Sequence, residues 1–357
     1  MSVLDSMDAK PSRVIEIRDE SVGLDAVVVV DHELFPSSAG GTRMIPDVTT
    51  DEVARLARAM TWKLAVARVP LAGAKAGIRF AGGDRAAILA AYFARIGEIE
   101  GFLTGPDMGT HPDDFVHSVP EGPPPLWTQS HDGMSMDDLA VGRGILGAAR
   151  VALDRVGRPL EGAAVAIEGF GKAGAGTGKA MHEARARVVA ISTIEGALVD
   201  PAGLDVPELL RLRREHGDRL VYEAGLEVRP REALFDVECD LLVPGARPDV
   251  ITRESASTLR TGAIVPAANI PYAPGAVEAL DEAGILALPD FVSNAGGVHL
   301  YEAPPCKEND PRACLDAVEQ LVGEATGRVL DSAAATGSTP TDAALEVARE
   351  YLRTARA

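Results

Sequence analysis

The stretch AVAIEGFGKAGAGTGKAMHEARARVVAIS, residues 164–192, decides the reading of the fold. AVAIE is an apolar run of strand length, and RVVAIS is a second, rich in β-branched residues. Between them lie a glycine cluster and a segment of helix length, so the order is strand, tight turn, helix, strand. That is the opening unit of a dinucleotide-binding sheet. Gly169, Gly171 and Gly174 stand as G-x-G-x-x-G in the required context, after a strand and at the head of a helix. The first glycine permits the turn, the second lets backbone approach a pyrophosphate, and the third lets helix pack on strand. The whole loop, with Phe170, Lys172 and Ala173 among its glycines, is the candidate cofactor cradle. The second strand ends at Thr193, and Glu195 is the acid placed to hold the adenosine ribose hydroxyls. No Arg or Lys stands beside it for a 2′-phosphate, which favours NAD and leaves NADP open.

Further strand-like runs follow at CDLLVPGA, GAIVPAAN and ILALPDFV, alternating with helix-length segments such as APGAVEALDEAG. Alternation of this kind implies an α/β fold with a mostly parallel sheet. A chain of 357 residues exceeds one small core, so two domains are expected. The Pro- and Gly-rich stretch 120–138, PEGPPPLWTQSHDGMSMDD, reads as the loop or connection between them. Upstream, AVVVV (26–30) is a strand; the tail TDAALEVAREYLRTARA is an amphipathic helix.

Composition narrows the partners. Hydrophobic residues at 46% and charged residues at 25% are ordinary for a globular chain. A net charge of −18 argues against nucleic acid or an anionic membrane surface. The N-terminus lacks an apolar core of signal-peptide length, and no apolar run reaches membrane-spanning length. Cys239, Cys306 and Cys314 show neither CxxC nor metal-type spacing, so reduced thiols and a cytoplasmic location are expected. His111 and His117 have no third ligand at metal spacing, and no metal site is expected.

The N-terminal third carries the substrate chemistry. TTDEVARLARAMTWKLAVA (49–67) has a helix start, with Thr49 or Thr50 as N-cap and Asp51 and Glu52 in the first turn. Val53, Leu56, Ala57, Met60 and Leu64 form one apolar stripe, with Lys63 at its edge. VPLAGAKAGIRF (69–80) then places Lys75 among small uncharged residues and reads as a close-packed, glycine-hinged loop. A lysine acts as a base only when it gives up its charge, a change that burial favours.

Seven blocks, AGGTRM (39–44), AMTWKLAVA (59–67), VPLAGAKAGI (69–78), TGPDMGTHPDD (104–114), GFGKAG, PAANIPYA and LPDFVSNAGGVHLYEA, stand in one order between residues 30 and 305. Together they resemble the glutamate/leucine/phenylalanine/valine dehydrogenase family, with a length closer to the leucine and phenylalanine enzymes. The resemblance implies two domains around a cleft. A substrate and oligomerisation domain over residues 1–132 would be completed by a C-terminal helix at about 325–357, and a Rossmann-type cofactor domain would cover 140–305. It implies reversible oxidative deamination of an L-amino acid to a 2-oxo acid and ammonia, with hydride passing to a nicotinamide. By the same resemblance Lys75 of the Gly-Gly-x-Lys-type loop and Asp107 of Pro-Asp-x-x-Thr are catalytic. Lys63 grips the substrate α-carboxylate, helped by backbone at a Gly40–Gly41 turn, and Ala39 and Met60 belong to the substrate site. Asn294 lies near nicotinamide and substrate, and Ala268 and Asn269 join the cofactor site. A homo-oligomer, a dimer or larger, is implied too.

Three departures from the family pattern bear on substrate and activity. Ala39 stands where glutamate enzymes carry a lysine for the side-chain carboxylate. An unpartnered buried carboxylate costs several kcal/mol, so an apolar or aromatic substrate is expected. Val141 replaces a threonine whose hydroxyl serves the nicotinamide amide. GPPPLW is unlike the segment that usually follows the aspartate. A dehydrogenase for a non-standard amino acid, an imine-reducing relative, and a dinucleotide-binding protein with weakened catalysis acting as sensor or structural subunit all stay open here.

Overall fold

The computed structural model describes residues 10–118 and 125–356. The expectations for the first residues, for the side chain of His117 and for the first half of GPPPLW lie outside them. The chain divides into two compact units. One runs to Thr128 and takes in Leu345–Ala357; the other is Gln129–Ala344.

The first unit is built on a five-stranded sheet: β1 (Arg13–Asp19), β2 (Leu24–Val30), β3 (Ser38–Ile45), β4 (Ala72–Arg79) and β5 (Phe102–Pro106). Its order is β1-β2-β4-β3-β5, with β3 parallel to β4 and β5 and the other pairs antiparallel. Helices α1 (Thr50–Val66) and α2 (Arg85–Ile96) cover opposite faces. The period of two in β2 sends Val27 and Val29 toward Val53 and Ala57 of α1, and Ala26 and Val28 toward Ile88, Leu89 and Tyr92 of α2. A strand buried on both faces reads as a continuous apolar run, which is why AVVVV shows no polar alternation. Thr49 is the N-cap of α1, its side chain accepting from the Glu52 N–H at 3.1 Å.

Lys75 sits mid-strand in β4, not in a loop, and Gly40 and Gly41 lie within β3, not at a turn. Ala and Gly are poor strand formers in isolation, so the local sequence reads as loop. They form strands here because β4 is hydrogen-bonded between β2 and β3, and glycine is required because α1 lies close over one face. A Cβ on Gly73 would stand 2.3 Å from the Thr61 nitrogen, and one on Gly77 would stand 2.8 Å from a Val53 methyl. Thr61 to Val53 spans about 12 Å of helix and Gly73 to Gly77 about 13 Å of strand, so α1 runs antiparallel along β4. Lys75 occupies the same face midway between those glycines.

The second unit opens with a short hairpin, β6 (Ser130–His131) and β7 (Met134–Ser135), and helix α3 (Met136–Arg155). Its main sheet comprises β8 (Ala164–Glu168), β9 (Arg187–Thr193), β10 (Gly196–Val199), β11 (Cys239–Pro244), β12 (Thr261–Ile264) and β13 (Leu286–Ala287), in the order β10-β9-β8-β11-β12-β13. All pairs except β9–β10 are parallel. Helix α4 (Lys172–Glu183) follows β8, as the glycine signature requires, and α5 (Val206–His216) follows β10. Helix α3 packs through glycines: a Cβ on Gly142 would meet the Gly176 carbonyl carbon at 2.2 Å, one on Gly144 the Gly296 Cα at 3.0 Å, and one on Gly147 the Glu319 oxygen at 2.1 Å.

Two further expectations are corrected. Helix Pro311–Thr336 packs on α3 within the second unit, so the first unit regains the chain only from Leu345 rather than from about 325. There the last helix, Pro340–Arg356, places Arg349 over the buried ring of Trp62, 5.9 Å from its centroid. The thiols are not all reduced, since Cys306 and Cys314 form a disulfide. The chain turns back between helix Pro304–Lys307 and helix Pro311–Thr336, bringing the two Cα atoms to 4.5 Å, a proximity that a spacing of eight does not reveal. Cys239 opens β11 as a buried free thiol, pushed up to about 11 by burial. Among the described residues no helix is long and apolar enough to cross a membrane, and no group of three His, Cys, Asp or Glu is placed to hold a metal.

Gly142→Val is expected to destabilise the second unit by about 3 kcal/mol through overpacking. Gly327→Ala, on a helix position open to space, should stabilise by up to about 1 kcal/mol. Chemical denaturation of both variants checks the pair, and equal effects would remove the packing argument.

Candidate active site

In the first unit three strands bring the chemistry together. Lys75 on β4 leans across β3, where a Cβ on Gly41 would stand 3.4 Å from its Nζ. That amine lies 2.9 Å from Oδ2 of Asp107, just beyond the end of β5. The Lys75 side chain is 10% exposed and that of Asp107 21%, so the ion pair is largely withdrawn from water. Burial alone pushes the Asp107 carboxyl up. The ammonium of Lys75 and the guanidinium of Arg43 outweigh it, with hydrogen bonds from Lys75 and the Met108 N–H, and hold the carboxyl below its ordinary value.

The Asp107 turn is pinned from both sides. Its own N–H donates to Thr110 Oγ1 at 2.8 Å, and that hydroxyl donates to the Thr42 carbonyl at 2.9 Å. Gly109 has φ +80°, and a Cβ there would meet the Met44 carbonyl oxygen at 2.0 Å, so only glycine fits. Ala39, Gly41 and Arg43 alternate along β3 with Thr42, whose hydroxyl bonds the Tyr92 and Thr104 hydroxyls at 2.7 Å each. Gly40 and Gly41 pair with Thr104 and Gly105 of β5, while the β3–β4 register skips them. Lys63 and Met60, both half-buried, lie on α1. Thr61, between them, donates to Asp31 at 2.6 Å, and Arg58 closes the same carboxylate at 2.7 and 2.8 Å. This buried cluster anchors the segment that bears Lys63. His111 is exposed, and its N–H donates to Asp114.

In the second unit Gly169 has φ +85°, and a Cβ on it would press within 2.5 Å of the Ala246 Cβ. A Cβ on Gly174 would stand 1.9 Å from the Gly169 carbonyl oxygen, whereas one on Gly171 would meet nothing within 4 Å. The outer two glycines are required by packing, and the middle one faces open space at the start of α4, where a phosphate could approach. Phe170 is wholly buried, its N–H donating to the Ser192 carbonyl and its carbonyl accepting from Arg213 Nε at 3.0 Å, so it offers a ligand neither side chain nor backbone; Lys172 is exposed and Ala173 half-buried. Thr193 donates to the Asp218 carbonyl at 2.9 Å and accepts from the Glu195 N–H at 3.1 Å. The Glu195 carboxylate is exposed and lies 3.3 Å from the Tyr222 hydroxyl. Asn294 donates to Asn269 Oδ1 at 2.9 Å and lies near the carbonyls of Ala267 and Ala268, drawing the PAAN and SNAGG segments together. Its Oδ1 is buried with no hydrogen-bond partner. A buried acceptor of this kind fits a ligand that brings an N–H donor, such as a carboxamide.

Residues 133–302 match the family model described as Glutamate/Leucine/Phenylalanine/Valine dehydrogenase, and residues 11–119 match Glu/Leu/Phe/Val dehydrogenase, dimerisation domain. The chain belongs to this family. A glutamate dehydrogenase of Thermotoga maritima is 34% identical over 289 residues, 75% of this chain and 69% of its own. The hetero-hexameric glutamate dehydrogenase of Thermus thermophilus, in its Leu-bound form, superposes with a TM-score of 0.80 at 26% identity over 97% of this chain and 89% of its own. L-tryptophan dehydrogenase of Nostoc punctiforme shares the fold, with a TM-score of 0.70 at 22% identity over 97% of each chain. This member of the family is an amino acid dehydrogenase, an oxidoreductase that uses a nicotinamide dinucleotide.

Three supports, one in the first unit and two in the second, escaped the sequence reading. Arg43 donates to Asp107 Oδ2 at 3.2 Å. Ser192 binds the glycine loop, its hydroxyl accepting from the Gly169 N–H at 3.1 Å and its carbonyl from the Phe170 N–H at 2.6 Å. Glu168, buried at the end of β8, accepts from the N–H groups of Gly245 and Ala246 at 3.1 and 2.8 Å. An acid as the last residue of an otherwise apolar strand, next to the glycine turn, was the available signal for Glu168.

Because the Asp107 carboxyl is held below its unfolded value, its contribution to stability is present above about pH 4 and is lost as pH falls through the lower folded value. Asp107→Asn should therefore show a smaller drop in melting temperature between pH 6 and pH 3 than the parent. An equal drop would mean that the ion pair does not contribute to acid stability.

Proposed function

We propose that the chain catalyses reversible, NAD-linked oxidative deamination of an L-amino acid with an apolar or aromatic side chain, giving the 2-oxo acid and ammonia. The observation that carries this is the buried Lys75–Asp107 pair, 2.9 Å apart, beside Gly41 on a strand that also bears Ala39. In this reading Lys63 and the backbone at Gly40 and Gly41 hold the substrate carboxylate. Asp107 exchanges a proton with the substrate nitrogen, and Lys75 takes one from the water that attacks the imine carbon. A bound nicotinamide dinucleotide supplies the hydride acceptor. Gly169, Gly171 and Gly174 would cradle its phosphates and Asn294 would accept from its carboxamide.

Ala39 supports the apolar substrate, since no cation stands at this position for a second carboxylate. The Glu195 carboxylate at the end of β9 supports NAD, as a 2′-phosphate would meet a like charge there. An assembly of at least two copies is supported by the match of residues 11–119 to a dimerisation domain.

Incubation of the purified protein with a panel of L-amino acids and either NAD or NADP, following reduced cofactor, tests the reading. Turnover is expected with apolar or aromatic substrates and NAD. Glutamate or NADP as the better reactant would overturn that part, and no turnover at all would sink the whole. Lys75→Ala should lower kcat at least about 100-fold, at the low end of general base contributions, with cofactor affinity nearly intact. Ala39→Lys should raise kcat/KM for glutamate relative to the apolar substrates by at least about 10-fold, which is about 1.4 kcal/mol of differential binding.

A further inference from the structure

We propose that Arg43 is a positioning residue for the reaction: from β3 it clamps the Asp107 carboxylate and holds it, oriented and charged, while Lys75 changes its protonation. The inference deepens the proposed deamination and rests on it.

Asp107 Oδ2 takes two cations at once, Lys75 Nζ at 2.9 Å and Arg43 Nε at 3.2 Å. The Arg43 side chain is 14% exposed, and its Nη1 is bound to Glu52 Oε1 in the first turn of α1. Three elements therefore fix one carboxylate: β4 through Lys75, β3 through Arg43, and α1 through Glu52 behind Arg43. The Met108 N–H of its own loop adds a hydrogen bond to the carboxylate, and Thr110 accepts from the Asp107 backbone N–H. The two cations and two carboxylates balance, so the cluster is neutral as assembled.

The two cations differ in kind. A guanidinium keeps its proton under any condition in which the protein is folded, whereas an ammonium in a buried site can lose one. When Lys75 serves as base, the ion pair that keeps Asp107 charged is interrupted once per turnover. Were Lys75 its sole partner, burial would then drive the carboxyl toward its protonated form. Arg43 prevents this, because its charge and its Nε–H direction persist through the cycle. Glu52 occupies the outer end of the guanidinium and so stops it from swinging away toward solvent.

Arg43→Gln and Arg43→Lys test the role, with kcat and kcat/KM measured against pH for the best substrate of the panel and folding followed by near-ultraviolet circular dichroism. Arg43→Gln is expected to move the acid limb of the kcat/KM profile upward by about one unit, the low end for loss of a contacting opposite charge, and to lower kcat at least tenfold. Arg43→Lys keeps the charge but loses the fork, so its acid limb should stay near that of the parent while kcat recovers only in part. Should Arg43→Gln not fold, Arg43→Lys decides: full parental kcat would overturn the proposal. A folded Arg43→Gln with reduced kcat and an unmoved acid limb would also overturn it, leaving Arg43 a structural residue. Absence of turnover in the parent protein itself would refute the deamination reading instead, so the two failures are distinguishable.

Discussion

A carboxylate and an ammonium 2.9 Å apart, both mostly removed from water, set the terms for the first unit. Taking two ions out of solvent is costly unless each finds further partners. Around Asp107 those partners are Arg43, held in the sheet on β3, and the Met108 N–H of a turn that Thr110 closes. The apolar faces of the sheet and its two covering helices supply the low-dielectric setting in which the pair has its effect. Glycine is what lets the helix lie near enough. At Gly73 and Gly77 even one carbon more would collide with α1.

The second unit solves a different problem with a similar device. A turn proposed to bind phosphate must leave N–H groups unspent and still keep its shape. Here the shape is kept from behind: Ser192 on β9 and Glu168 on β8 hold the glycine loop and the loop after β11 through backbone N–H groups. Gly171 is left facing open space. Rigid support behind and free donors in front is the arrangement that preorganised anion sites share.

Much of this was legible in the residues themselves. The strand–glycine–helix–strand order at 164–192 and the capped helix beginning at Thr49 translate directly into structure, because each is a local pattern with a local cause. Lys75 was legible as a residue but not as a position. A run of Ala and Gly carries no strand signal, and its strand character comes from the two strands, distant in sequence or unpatterned, that pair with it on either side. Arg43 was invisible because its meaning depends on Asp107, sixty-four residues away in sequence, being brought to the same sheet edge. The Cys306–Cys314 link was hidden for a comparable reason, since its closure depends on a helix–turn–helix reversal rather than on spacing.

The glycine contacts of α3 separate what this helix can change from what it must keep. The backbone at Val141 and Gly142 is gripped from two sides: Gly296 lies so near that a Cβ on it would stand 3.0 Å from the Val141 Cα, and Gly142 abuts Gly176. Valine and threonine have almost the same outline, so a hydroxyl and a methyl can exchange at this point with no shift of the main chain. Such an exchange alters one hydroxyl, a donor and an acceptor, with no loss of register. Variation in polarity is thereby uncoupled from variation in shape, and a lineage can retune the chemistry at 141 while the helix crossings beside it stay as they are.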